Sequence, residues 1–226
     1  MQNLNLYAKI ESMIGFDEAY ERLYELYIKE METLNPKRVL DLGCGNGNFL
    51  LKIKDRFDAM GIDLSQTMVQ IAQKKGVDVR CINLGDLDEK FDAITAIGDV
   101  LNYVKPSELG KFFSDIRSVL NVGGYLLCDI NTLHGFEDVT SGTLAVDEGE
   151  RFLSIDADFY EGVLLSEIVY FEKNGSCYQK ESEKIFQYYH DKDDIVRESK
   201  MELVNMEEVS MFSDEVDKEL LVLRMG

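Results

Sequence analysis

The chain has no tryptophan, two prolines and two histidines among its 226 residues. Histidine restricted to His134 and His190 argues against a histidine-built metal centre, and none is expected. The four cysteines, Cys44, Cys81, Cys128 and Cys177, stand far apart with no paired spacing. A disulfide framework or zinc cluster needs closer or more regular spacing, so free thiols are expected. Basic residues are also scarce, 24 Lys and Arg against 43 Asp and Glu, for a formal net charge of −19. Phosphate backbones repel such a surface, and no Lys/Arg cluster exceeds two or three residues. The expected partner is therefore a small molecule and not a nucleic acid. No stretch is apolar for long enough to span a bilayer, so no membrane partner is expected. The polar start Met1-Gln2-Asn3 lacks a secretory signal pattern. Together these give a cytoplasmic location as the expectation and assign no oligomeric state.

What is present is concentrated in residues 39–47, Val-Leu-Asp-Leu-Gly-Cys-Gly-Asn-Gly. An apolar strand runs into Asp41, then Gly43, Gly45 and Gly47 follow at alternate positions, and residues 48–55 read as helix. A glycine-rich turn between strand and helix lets backbone N–H groups approach a ligand closely. The dinucleotide fingerprint would place its third glycine at position 48, where this chain has asparagine.

Strand and helix patterns alternate along the first 134 residues. Residues 17–34 form an amphipathic helix that Asn35-Pro36 ends. A short second strand closes on Gly61-Ile62-Asp63, Ser65 caps a helix over 66–75, and residues 77–82 give a third strand. Residues 91–97 are nearly all apolar, as a buried parallel strand requires. Residues 106–120 form another amphipathic helix, and Gly123-Gly124 turns the chain into a fifth strand over 125–130. Such alternation implies a doubly wound α/β sheet with right-handed crossovers. After residue 134 the pattern changes to strands over 152–159, 164–171 and 177–189, the last two joined by a Lys173-Asn174-Gly175-Ser176 hairpin turn. A helix near Lys192 and strands over 202–209 and 219–225 complete the chain.

Alternate glycines preceded by an acid resemble motif I of the class I S-adenosylmethionine-dependent methyltransferases. Asp63 at the second strand's end fits the resemblance, as does Gly98-Asp99-Val100-Leu101-Asn102-Tyr103 after the fourth. A bacterial small-molecule branch of that family carries Asp-x-x-Asn-Tyr there. The fifth strand's ending, Cys128-Asp129-Ile130-Asn131, is similar too. That branch also carries an antiparallel insertion after strand five, packed as a cover over the substrate. The resemblance implies a mostly parallel seven-stranded Rossmann-like sheet in three parts. These are N-terminal helices and cofactor-binding core over 1–134, the insertion over 135–190, and completion of the sheet over 191–226. It implies S-adenosylmethionine as cofactor and methyl transfer to nitrogen or oxygen of a small molecule.

Residue by residue, Asp41 would receive the ammonium of the cofactor's methionine moiety, and Gly43 and Gly45 let the backbone pass beside it without a Cβ. Gly47 either joins them or serves only as a helix-entry turn. Asp63, 20 residues past Gly43, can accept from both ribose hydroxyls in a charge-assisted pair. Leu64 would lie against one adenine face, and Gly98 stands with the cofactor set. Asn83 and Leu84 align with the phrase that meets the adenine edge, where asparagine replaces the family's usual acid; an alternative register gives that task to Asp86.

Methyl transfer from a sulfonium is an in-line displacement that alignment largely accelerates. A base is needed only if the acceptor must lose a proton. Asp99, Asn102 and Tyr103 are the catalytic candidates, with Asn131 and His134 behind them. Asp129 is either a further candidate or a brace for its turn. Tyr7 and Tyr20 belong to a segment expected near the cofactor mouth, as a mobile lid. Tyr160, Tyr170, Tyr178, Tyr188 and Tyr189 either form a cage for a cationic or aromatic acceptor or pack the insertion. Two rival readings share the fold class: a nicotinamide oxidoreductase, and a cofactor-binding regulatory protein without chemistry.

Overall fold

The computed structural model describes residues 5–226. Two helices, α1 (Asn5–Ile14) and α2 (Asp17–Leu34), lead into an alternating run. It comprises β1 (Arg38–Leu42), α3 (Asn48–Ile53), β2 (Asp58–Asp63), α4 (Gln66–Lys74), β3 (Val79–Cys81), β4 (Phe91–Ala96), α5 (Leu109–Val119) and β5 (Leu120–Asn131). Four strands follow, β6 (Gly142–Asp147), β7 (Arg151–Tyr160), β8 (Val163–Asn174) and β9 (Cys177–Tyr188), then α6 (Lys192–Ser199), β10 (Glu202–Val209) and β11 (Lys218–Arg224).

The main sheet runs β3-β2-β1-β4-β5-β11-β10. Its first five strands are parallel, and β11 is antiparallel to both of its neighbours. Successive residues feed opposite faces, as the strand period of two demands. Val39, Ala93 and Leu127 pack with α2, α3 and α4, whereas Leu40, Ile94 and Leu126 pack with α5 and α6. Covering both faces is what lets these strands read as continuous apolar runs. No described helix is long and apolar enough to cross a membrane.

The second sheet, β6-β7-β8-β9, is antiparallel throughout. It has four strands where the sequence suggested three, because edge strand β6 buries little and carries weak patterning. Asn174 pairs with Cys177 across a two-residue turn in which Gly175 has φ +64, as the hairpin signal required. Leu6, Ile10 and Met13 of α1 pack against Leu153, Ile168, Tyr170 and Ile185 of this sheet. Lys9 adds an ion pair to Glu181 at 2.6 Å.

Two boundaries differ from expectation. Gly123-Gly124 lies inside β5, at a register irregularity against β4, and a Cβ on Gly124 would meet the Asn121 and Asp92 carbonyls at 2.8 and 2.9 Å. The glycines therefore permit a bulge. Helix α5 is preceded by a separate tight turn, Pro106–Glu108.

Gly47, with φ +77, enters α3, and a Cβ there would come within 2.9 Å of both Ala72 and Val77. Gly47→Ala should destabilise the fold by about 2–4 kcal/mol, since left-handed strain and overpacking add. Gly76 has similar φ, +76, but open space around it. Gly76→Ala should cost only about 1 kcal/mol. Urea unfolding of the two variants checks the difference; equal losses would show that packing at Gly47 contributes nothing.

Candidate active site

The order of strands reverses between β1 and β4, and at their carboxyl ends opens a cavity of about 620 Å³. Small-ligand sites span roughly 300–1,000 Å³, so the space suits a cofactor with a modest acceptor. One wall is the loop after β1. Gly45 has φ +50, and nothing lies within 4 Å of where its Cβ would be, so its backbone meets open space. Gly43, at φ +71, is needed for a different reason: a Cβ would stand 2.9 Å from Val100.

Two acids sit at adjacent strand ends on this wall. Asp41 is 3% exposed and accepts a hydrogen bond from the Thr95 hydroxyl at 2.9 Å. Burial pushes its carboxyl up to about 7, with the Thr95 bond opposing and the nearby Asp63 charge adding. Asp63 accepts from the N–H of Gly45 at 2.9 Å on one oxygen and of Ser65 at 2.7 Å on the other. Burial raises its pKa against those N–H groups. Ser65 also caps α4, accepting from the Met68 N–H.

The roof comes from the first two helices. Tyr7 and Glu11, one turn apart on α1, line the cavity beside Tyr20 and Tyr24 of α2. A Cβ on Gly98, at φ +75, would stand 2.8 Å from the Tyr20 ring, so the missing side chain makes room for that tyrosine. Asp99, also left-handed at φ +69, presents its carboxylate beside Tyr103. Gln187 Nε2 donates to Asp99 Oδ2 at 3.2 Å, and the Lys218 ammonium donates to Oδ1. Lys218 is 2% exposed and also donates to Asp129 at 3.1 Å and Asn131 at 2.7 Å. Burial alone would lower its pKa, but the two carboxylates outweigh burial and raise it.

Residues 39–124 match the family model described as a methyltransferase domain. The putative methyltransferase YqeM of Bacillus subtilis is 28% identical over 186 residues, covering 74% of this chain and 75% of its own length. A methyltransferase from Clostridium acetobutylicum shares the fold with TM-score 0.78 at 23% identity, over 92% of each chain. CalS10, an amino pentose methyltransferase from Micromonospora echinaspora, shares it with TM-score 0.70 at 20% identity over both full lengths. Residues 39–124 are thus similar to a methyltransferase domain, and the chain shares the fold of S-adenosylmethionine-dependent methyltransferases. That sets aside the nicotinamide reading, and the structure of CalS10, which shares the fold, has S-adenosylmethionine bound.

The methyltransferase's cavity is lined by Asp41, Gly43, Gly45, Asp63, Leu64, Asn83, Leu84 and Gly98, together with Asp99 and Tyr103. Asp86 lines it too, and accepts from Asn83 Nδ2 at 3.3 Å. Three expectations need correction. Gly47 lies behind the wall, packed on α4. Asn102 is fully buried: it donates to the Tyr188 carbonyl and accepts from the Asn131 N–H, strapping β9 to β5. The insertion supplies no lining residue, and its tyrosines form no cage; Tyr160 is 73% exposed and Tyr170 packs under α1. His134 bonds Asp138 and Ser213 away from the cavity. Asp129 is a fully buried brace, accepting from Tyr27, Gly98 N–H, Asp99 N–H and Lys218. Lys218 is the residue that sequence reasoning missed, since a lone lysine opening a strand carries no local signal of burial.

A buried carboxyl at about 7 against an ordinary 3.8 means that the fold favours the protonated form of Asp41. Its contribution is present below about pH 4 and is lost as pH rises through 7. Asp41→Asn keeps an acceptor for Thr95, so it should raise the melting temperature of the ligand-free protein at pH 8. The gain has a ceiling of roughly 4 kcal/mol at 1.36 kcal/mol per pKa unit. At pH 4 the variant should match the parent; an equal gain at both values would remove the ionisation argument.

Proposed function

We propose that the protein transfers a methyl group from S-adenosylmethionine to nitrogen or oxygen of a small molecule. The observation that carries this reading is the pair of acids, Asp41 and Asp63, opening from adjacent parallel strands onto one cavity with the Gly45 backbone between them. The fit is chemical as well as steric. Asp63 accepts from the Gly45 N–H on one oxygen and the Ser65 N–H on the other, and a carboxylate has further lone pairs for the ribose hydroxyls. Asp41 offers a carboxylate to the cofactor's ammonium, and Gly43 and Gly98 keep the walls close. Asn83 commits its amide nitrogen to Asp86, which leaves its oxygen to accept from the adenine amino group; Leu84 and Leu64 complete that end.

When bound, the cofactor supplies a methyl group already activated by a sulfonium. The protein's work is then to align, to exclude water and to receive a proton if the acceptor carries one. Asp99 and Tyr103 are proposed on the acceptor side, with Asn102 as their brace. A small acceptor is supported by the roof of α1 and α2, the acid-rich lining and the net charge of −19. The amino pentose named for CalS10 is of that class. We keep the division into residues 1–134, 135–190 and 191–226, with the insertion as the support on which α1 rests.

Asp63→Ala should weaken S-adenosylmethionine binding at least tenfold, about 1.4 kcal/mol or more, with the melting temperature nearly unchanged. Unaltered affinity by calorimetry would sink the ribose assignment. Binding should also weaken as pH falls through about 7, because protonated Asp41 cannot hold an ammonium, and Asp41→Asn should flatten that profile. S-adenosylhomocysteine release with a metabolite mixture tests turnover; tight cofactor binding with no product in any mixture would favour the regulatory reading.

A further inference from the structure

Seven of the residues lining the cavity are acids and one is a base, Lys111, which is bonded to Asp115 at 2.7 Å. Asp41 and Asp63 are assigned to the methyl donor, so the remaining negative charge belongs to other ligands or to none. Around the acceptor end stand Asp99, Glu11 and the rings of Tyr7, Tyr20 and Tyr103. Behind Asp99, the buried cluster holds two carboxylates, Asp99 and Asp129, against one ammonium, Lys218. One negative charge is left uncompensated, and only Asp99 among the three opens onto the cavity. Lys218 on one oxygen and Gln187 on the other fix the direction in which that carboxylate points. Aromatic walls, and a carboxylate cluster that keeps one negative charge in excess of its ammonium and opens through Asp99 onto a partly desolvated space, favour a cation and disfavour an anion. Burial and the neighbouring acids also raise the pKa values of Tyr7, Tyr20 and Tyr103, so these walls stay neutral.

We propose that this end of the cavity is a cation subsite that receives the methyl acceptor as a protonated amine, held at Asp99 among Tyr7, Tyr20 and Tyr103. The inference rests on the methyltransferase reading and narrows its acceptor from nitrogen or oxygen to amine nitrogen. The bound R–NH3+ gives one proton to the Asp99 carboxylate. The freed lone pair forms the nitrogen–carbon bond as the carbon–sulfur bond breaks, its electron pair remaining on sulfur. The positive charge that leaves sulfur reappears on the N-methylated nitrogen, and Asp99 returns its proton to water through the cavity mouth. Lys218 and Gln187 are positioning residues in this scheme, because they act only through Asp99.

The test uses the full chain in complex with S-adenosylhomocysteine and two matched probes, cyclohexylamine, a cation at pH 7, and cyclohexanol, its neutral counterpart. Titration followed by tyrosine ring NMR signals should show saturable binding of the amine at least tenfold tighter than that of the alcohol. Asp99→Asn should weaken the amine at least tenfold while leaving the alcohol within twofold. Asparagine tolerates left-handed φ, and this variant leaves Lys218 and Asp129 paired one to one, so it should fold. Gln187→Leu should reduce the preference for amine over alcohol severalfold with S-adenosylhomocysteine affinity unchanged, a ratio that general loosening would not move. Equal affinity for the two probes, no saturable amine binding, or indifference to Asp99→Asn would overturn the proposal. Failure of S-adenosylhomocysteine itself to bind would instead overturn the methyltransferase reading.

Discussion

A carboxylate without solvent, Asp129, ties together the parts of the protein that meet behind Asp99. It accepts from the Tyr27 hydroxyl on α2, from the N–H groups of Gly98 and Asp99 after β4, and from Lys218 on β11. A buried charge costs several kcal/mol unless it is paired and hydrogen-bonded, and here every lone pair has a donor. The cost of leaving it unsatisfied fixes the relative position of four elements. It also explains how two consecutive residues, Gly98 and Asp99, are both held at positive φ. The turn that carries Asp99 is thus shaped from behind.

The two ends of the cavity differ in how they are encoded. The end proposed for the methyl donor is local: Asp41 lies near the end of one strand with Gly43 and Gly45 after it, and Asp63 ends the next with Leu64 after it. Short-range turn chemistry and the resemblance to motif I singled out those residues, and strand periodicity and turn signals made the parallel sheet, the Ser65 cap and the Asn174-Gly175 hairpin legible. The end proposed for the acceptor is assembled from afar. Lys218 reaches Asp99 across 119 positions and Gln187 reaches it across 88. No periodicity or motif spacing announces a contact of that kind, so Lys218 reads as an ordinary surface lysine.

The misread residues share a cause. Gly47, Asn102 and the insertion's tyrosines each have a composition that suits chemistry, and each proves to serve packing or bracing. Gly47 looks like a third ligand-facing glycine because it continues an alternation, yet its partners are Ala72 and Val77. Asn102 sits in a phrase that signals a site, and its side chain instead joins β9 to β5. The insertion similarly contributes through what it holds, since Gln187 and the seat of α1 both belong to it.

Helix α1 commits two of its faces at once: Leu6, Ile10 and Met13 to the second sheet, Tyr7 and Glu11 to the cavity. A rotation by one residue, about 100°, would in one direction bring Leu6 and Ile10 over the cavity and in the other turn Tyr7 and Glu11 into the apolar seat. The helix therefore has a single workable setting, specified independently by oil on one side and polarity on the other. Ten residues act as a keyed part, and the ceiling of the cavity inherits its shape from a sheet that supplies none of its lining.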